Sequence, residues 1–178
     1  MFDIGDKVVY PHHGAGTVVR KESREILGDE REYLTIQILH NDMVVNVPSE
    51  NAERVGLRKV IDEPMVEQVL EVLHGDGTTM PKNWNRRFKY NRDKMKTGDI
   101  FELAEVVRNL SLREQEKGLS TGEKQMFVKA KKILASELMY AKGMNEEQAA
   151  AWLDDVLSRA GQTNSRSKAK PKAAAASV

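Results

Sequence analysis

The sequence has no cysteine, 6% aromatic residues and five prolines, and it contains no long apolar run. Without cysteine there is no disulfide scaffold, no thiol nucleophile and no cysteine-ligated zinc or iron–sulfur centre, which suits a reducing cell interior. No segment approaches the roughly 18 uninterrupted apolar residues of a membrane span, and the opening Met1-Phe2-Asp3-Ile4-Gly5-Asp6-Lys7 lacks the basic and then apolar regions of a signal peptide. A cytoplasmic protein with no membrane partner is expected. An excess of either sign of charge is missing too. The 28 Lys plus Arg and 27 Asp plus Glu leave +1 over 178 residues, which taken alone argues against a polyanionic partner.

The distribution of charge reverses that inference. Residues 1–57 hold 6 basic and 10 acidic residues, 58–160 hold 18 and 17, and 161–178 hold 4 and none. From Asp62 to Asp76 there are five acids and no Lys or Arg, whereas Pro81 to Lys96 carries seven bases against Asp93 alone. Near-neutrality is an average over opposed patches.

The first 57 residues read as β structure. Lys7–Tyr10, Gly16–Val19, Tyr33–Leu39 and Met43–Val47 are short runs rich in β-branched residues, separated by Pro11 with Gly14, Gly28-Asp29, Asn41-Asp42 and Pro48. Four or five such strands bury little as a flat sheet, so a small curled sheet or barrel is expected. From Asp62 the period changes to 3.6. Five helices are predicted: from Asp62 with Pro64 to Gly75; about Asn83 to Lys96; Asp99 to Gly118; the capping box Ser120-Thr121-Gly122-Glu123 to Gly143; and Asn145 with Gln148 to Gly161. The expected organisation is α+β: a β module over 1–57, a compact all-α domain over 58–160, and a basic tail over 161–178 too poor in apolar residues to order. Tail lysines 168, 170 and 172 would add salt-sensitive attraction to nucleic acid or act only as a solubilising extension.

Catalytic chemistry has no foothold. His12-His13 are neighbours that a strand would point to opposite faces, and His40 and His74 lie at unrelated spacings, so no metal-ligand pair is formed. Gly14-Ala15-Gly16 lacks the third glycine and the following helix of a dinucleotide fingerprint, and Gly75-Asp76-Gly77-Thr78-Thr79 lacks the ending of a phosphate loop. No nucleophile, base and orienter assemble, and no cofactor or metal is expected. The segment with chemical content is Pro81–Lys96. On a helix, Phe88, Asn91 and Met95 face the bundle, while Arg86 and Lys89, with Lys82 and Arg92, share a flank with Trp84 at the N-terminal end. Cationic groups beside an exposed aromatic suit phosphate contact and base wedging; the competing reading is a core tryptophan beside a solvated basic face. Trp152 belongs to the core.

Val8-Val9-Tyr10-Pro11-His12-His13-Gly14, Val47-Pro48 with Asn51, Val55-Gly56-Leu57-Arg58, Asn83-Trp84-Asn85-Arg86-Arg87, Ala104–Leu110 and Leu119-Ser120-Thr121-Gly122-Glu123-Lys124 occur in order, and with them residues 1–160 resemble the CarD/CdnL family of bacterial transcription regulators. The resemblance implies a Tudor-like, SH3-type β module docking on the β-subunit lobe of bacterial RNA polymerase, and a helical domain that contacts promoter DNA. It implies that Trp84 wedges into the minor groove at the upstream edge of the transcription bubble, without sequence specificity. Arg86, Lys89 and Lys124, with the adjoining Arg87, are implied DNA contacts. Arg24, Asn46, Val47 and Pro48 form the implied polymerase surface, Asn46 standing where some relatives carry a base. The module at the front of transcription-repair coupling factors is a weaker match, since no helicase motif is present. The expected function is stabilisation of the open promoter complex by a non-enzymatic, monomeric factor associated with the nucleoid through polymerase. The alternative is a sequence-independent nucleoid-type DNA-binding protein whose β module holds another partner.

Overall fold

The computed structural model describes residues 1–40 and 42–168. Five antiparallel strands, β1 Lys7–Tyr10, β2 Gly14–Ile26, β3 Asp29–Ile38, β4 Val44–Pro48 and β5 Arg58–Lys59, form one sheet in the order β4-β3-β2-β1-β5. Alternation drives it: Val8, Val18, Leu34, Ile36, Ile38 and Val47 turn to one side and pack with Phe2, Ala52 and Leu57 into a closed core. A register shift between Val18 and Arg20 bends β2 and lets Thr17 and Arg20 share the opposite face. Leu27 (φ 54°) and Gly28 (φ 85°) make the two-residue turn between β2 and β3, both left-handed as a hairpin matched to sheet twist requires.

Helices α1 Glu63–His74, α2 Trp84–Lys96, α3 Ile100–Lys117, α4 Thr121–Lys142 and α5 Glu146–Lys168 follow. Each starts on a side-chain cap: Asp62 accepts from the Met65 amide, Asn83 from Arg86, Asp99 from Phe101, and Ser120 from Glu123, while Asn145 and Gln148 bond reciprocally. Their apolar faces form a second core around Val69, Leu73, Val107, Leu110, Leu134, Leu138 and Leu153, with Trp152 half-buried against it. The architecture is α+β, a five-stranded antiparallel β module followed by a helical bundle. Among the described residues no helix is long and apolar enough to cross a membrane.

Three expectations are corrected. The strands of the central hairpin are longer than predicted, because Arg20–Ile26 and Asp29–Glu32 pair in register although largely exposed. The sheet extends past residue 57, since β5 pairs Arg58 and Lys59 with Val9 and Val8. The fifth helix does not stop at Gly161, so residues 161–168 are helical and not part of a tail. Gly161 is buried, and a Cβ there would overlap the Gln115 carboxamide; it serves close approach of α5 to α3 and not helix termination. Residues 169–178, with Lys170 and Lys172, lie outside the described residues, as does the side chain of Lys168.

The two modules are pinned together. The Glu137 carboxylate on α4, fully buried, accepts from Arg58 Nη1 and Nη2 (2.6 and 2.8 Å) and from the Ile61 amide (2.9 Å). Arg58 Nε donates to the Gly98 carbonyl at 2.6 Å. The Ala15 amide donates to Ser136 Oγ (2.9 Å), and the Tyr140 and Thr17 hydroxyls lie 3.0 Å apart. Gly14, at φ 93°, has no room for a side chain: a Cβ would sit 2.9 Å from Ser136 Oγ.

Candidate nucleic-acid and partner interface

The start of α2 is built around Trp84. Its ring is 42% exposed, stacks on Phe88 one turn later (centroids 5.1 Å apart, 18° between planes), and lies against Gly122, whose missing side chain leaves the space. Trp84 Nε1 donates to Ser120 Oγ at 2.8 Å. The segment Ser120-Thr121-Gly122-Glu123 therefore caps α4 and seats the indole at once. Glu123 extends the arrangement inward. It is 1% exposed, closes the capping box with the Ser120 amide, and pairs with Arg87 Nε at 2.5 Å, with Arg113 Nε 3.9 Å from its second oxygen. The Arg87 guanidinium also donates to the Lys82 carbonyl at 2.9 Å. The starts of α2 and α4 are thereby locked together, and the indole is presented in one orientation.

The assignment of Arg87 to DNA contact is corrected by this geometry. Arg87 is 4% exposed and held through Nε and Nη1 by protein acceptors, and freeing it for a phosphate would strand Glu123 as a buried charge. Arg86, Lys89 and Lys124 are exposed, and Lys89 makes only an i,i+4 pair with Asp93 (3.6 Å). Lys94 is different. Burial disfavours its charge, but hydrogen bonds from its ammonium to Glu105 (2.7 Å) and Glu102 (3.0 Å) outweigh that and hold its pKa above the ordinary lysine value. It fastens α2 to α3 and is not available to DNA.

The partner-facing candidates fall on the second face of the sheet. Arg20, Glu22 and Arg24 of β2, Tyr33 and Thr35 of β3, and Asn46 and Pro48 of β4 alternate onto that face in register. Arg24 donates through Nε to Glu22 (2.9 Å) and lies 5.7 Å over the Tyr33 ring; the hydrogen bond from Arg24 holds the Glu22 carboxyl below its ordinary pKa. Asn46 Oδ1 accepts from the Thr35 hydroxyl at 2.8 Å. Val47 points the other way, 3% exposed in the sheet core, so its side chain is no part of a docking surface; what it offers is the main chain of an edge strand. His12 and His13 sit in the turn before β2, and among the described residues no three His, Asp or Glu side chains group as metal ligands. Ser120, Gly122 and Glu123 were legible as a cap but not as the seat of an indole 36 residues earlier.

The helical domain thus displays a seated indole among exposed bases, and the β module docked on it presents a separate polar sheet face. Comparison with known proteins gives its family. Residues 2–61 match the profile of the CarD-like/TRCF RID domain and residues 68–154 that of the CarD C-terminal domain. A putative transcription factor of Bacillus subtilis (strain 168), YdeB, is 38% identical over 149 residues, covering 83% of this chain and 97% of that protein. The solution structure of the 72-residue N-terminal domain of Myxococcus xanthus CarD is 30% identical, covering 33% of this chain and 79% of that domain with a TM-score of 0.29. The chain belongs to the CarD family of transcription regulators.

Proposed function

We propose that this protein docks on the β-subunit lobe of bacterial RNA polymerase through its β module and stabilises the open promoter complex by setting Trp84 into the minor groove at the upstream edge of the bubble. The observation that carries this reading is the Trp84 seat: a large aromatic held exposed by a hydrogen bond, a stacked ring and a glycine, with Arg86, Lys89 and Lys124 around it. Unstacking a base step costs a few kcal/mol, and melted promoter DNA presents an edge already open, so a fixed wedge there slows reannealing without reading sequence.

Docking assigns the work of the other module. The face carrying Arg24 and Asn46 meets the polymerase, with β4 offering an unpaired strand edge beside it. Tethering raises the effective concentration of the basic surface at the promoter, so weak affinity for free duplex suffices. The buried Glu137–Arg58 junction makes the tether stiff and fixes where Trp84 lands. The domains assigned to these roles are the β module through β5 and the bundle from Asp62 onward, acting as a monomer in the cytoplasm, with the nucleoid reached through polymerase.

The reading is tested by replacing Trp84 with a photo-crosslinking phenylalanine analogue in polymerase–promoter complexes. Crosslinks to the upstream bubble edge, lost when Arg24→Glu removes docking, are expected. Crosslinks spread evenly along the duplex and indifferent to Arg24 would favour a general DNA-binding protein.

A further inference from the structure

We infer that the cleft where the Tyr10–Gly14 turn meets α4 binds the phosphodiester backbone of duplex DNA, carrying the DNA track from Trp84 onto the β module. This rests on the reading of Trp84 as the wedge and extends it past Lys124 to Lys129, Lys132 and the histidine turn.

The cleft, about 480 Å³, is lined by His12, His13 and His40 from the β module and by Lys124, Lys129 and Lys132 from α4. Lys21, Lys59, Lys89, Lys94 and Lys131 pair with carboxylates. Among the described residues no carboxylate lies within ion-pairing distance of Lys124, Lys129 or Lys132; the acid at the cleft, Glu146, is 3.3 Å from His40 Nδ1. The walls are fixed in place. Ser136 Oγ accepts from the Ala15 amide and donates to the Ile133 carbonyl (2.6 Å), His40 Nε2 contacts the Lys132 carbonyl at 2.9 Å, and His13 stacks on Tyr10. Burial first, and then the charge of Lys129, hold His12 and His13 below the ordinary histidine pKa, and Lys96 at the end of α2 adds to this at His12. The cleft is preformed and positive, its neighbouring acid Glu146 turned to His40 and away from ion-pairing range of the three lysines.

Its alignment with Trp84 identifies the occupant. Beyond Trp84, Lys89, Arg92 and Lys96 share one exposed face of α2, and Lys124, Lys129 and Lys132 follow the Trp84 seat along α4. Both rows lead from the indole to the histidine turn. From Trp84 to Lys96 is about 18 Å at 1.5 Å per residue, the rise of about five base pairs at 3.4 Å each. A small phosphorylated ligand would need donors converging on a point; cations strung along two helices match a polyanionic strand.

The test measures binding of the full chain to a labelled forked duplex across a NaCl series. Lys129 and Lys132 are exposed, so Lys129→Ala/Lys132→Ala leaves the fold intact. Each lost phosphate contact removes about 0.9 from the slope of log K against log[salt], so the double variant should lower its magnitude by about two. Cutting the duplex back to the fork should erase the difference from wild type. An unchanged slope overturns the inference, as does saturation of the cleft by inorganic phosphate or a free nucleotide with no change in the DNA slope. Trp84→Ala separates the two readings: it should weaken binding at every salt concentration with the slope kept. If it has no effect while the lysine variant flattens the slope, the cleft stands and the wedge fails.

Discussion

The hydroxyl of Ser120 accepts from two directions at once: from the Glu123 amide at 3.3 Å, capping α4, and from Trp84 Nε1 at 2.8 Å. The orientation of the indole is thus set by the same atom that starts the helix beneath it. Ser120→Ala should cost about 1 kcal/mol of stability through the lost cap and free the ring, shortening open-complex lifetimes part of the way to the Trp84→Ala value. Urea denaturation and lifetime measurements on the same preparation check both halves. A full loss of stability with unchanged lifetimes would show that the hydrogen bond does not position the wedge.

Adjacent arginines should behave oppositely. Arg87→Ala strands the buried Glu123 carboxylate and should destabilise by about 3–5 kcal/mol, whereas Arg86→Ala, at the surface, should stay within about 0.5 kcal/mol of wild type. Only Arg86→Ala should lower the salt slope of DNA binding, by about one. Denaturant midpoints and a salt series distinguish them.

Glu137→Ala removes the acceptor of three hydrogen bonds at the module junction and leaves Arg58 uncompensated. A loss of about 3–5 kcal/mol is expected, together with independent tumbling of the two modules by NMR relaxation. Retained common tumbling would place the rigidity of the junction in other contacts.

His12 and His13 titrate below the ordinary histidine value of 6.5 because the folded protein buries them near Lys129, with Lys96 also acting on His12. Between the depressed folded pKa and 6.5 the unfolded chain binds more protons than the native one, so stability is present above 6.5 and falls as pH drops below it. Urea midpoints should decline as pH drops below 6.5, and His12→Asn, which tolerates the left-handed backbone at φ 68°, should flatten part of that decline.

Helix starts were legible because each cap is written locally: Asp62, Asn83, Asp99, Ser120 and Asn145 each bond within three residues. The outer half of the β2–β3 hairpin was not, since Arg20–Ile26 and Asp29–Glu32 are mostly exposed on both faces and lack the alternation a buried face imposes. Gly161 misled for a related reason. A glycine that admits Gln115 and a glycine that ends a helix look alike until α3 and α5 are packed together. At the site, the exposure of Trp84 could be anticipated from the bases around it. The burial of Arg87 could not, because its partner Glu123 is 36 residues away and already committed by its local signal to a capping box.

The most direct measurement is the half-life of competitor-challenged open promoter complexes formed with wild-type protein, with Trp84→Ala, and with no factor. The account predicts a longer half-life with wild type and a return toward the factor-free value with Trp84→Ala, while polymerase binding by the variant is unchanged. Equal half-lives for wild type and Trp84→Ala would contradict it.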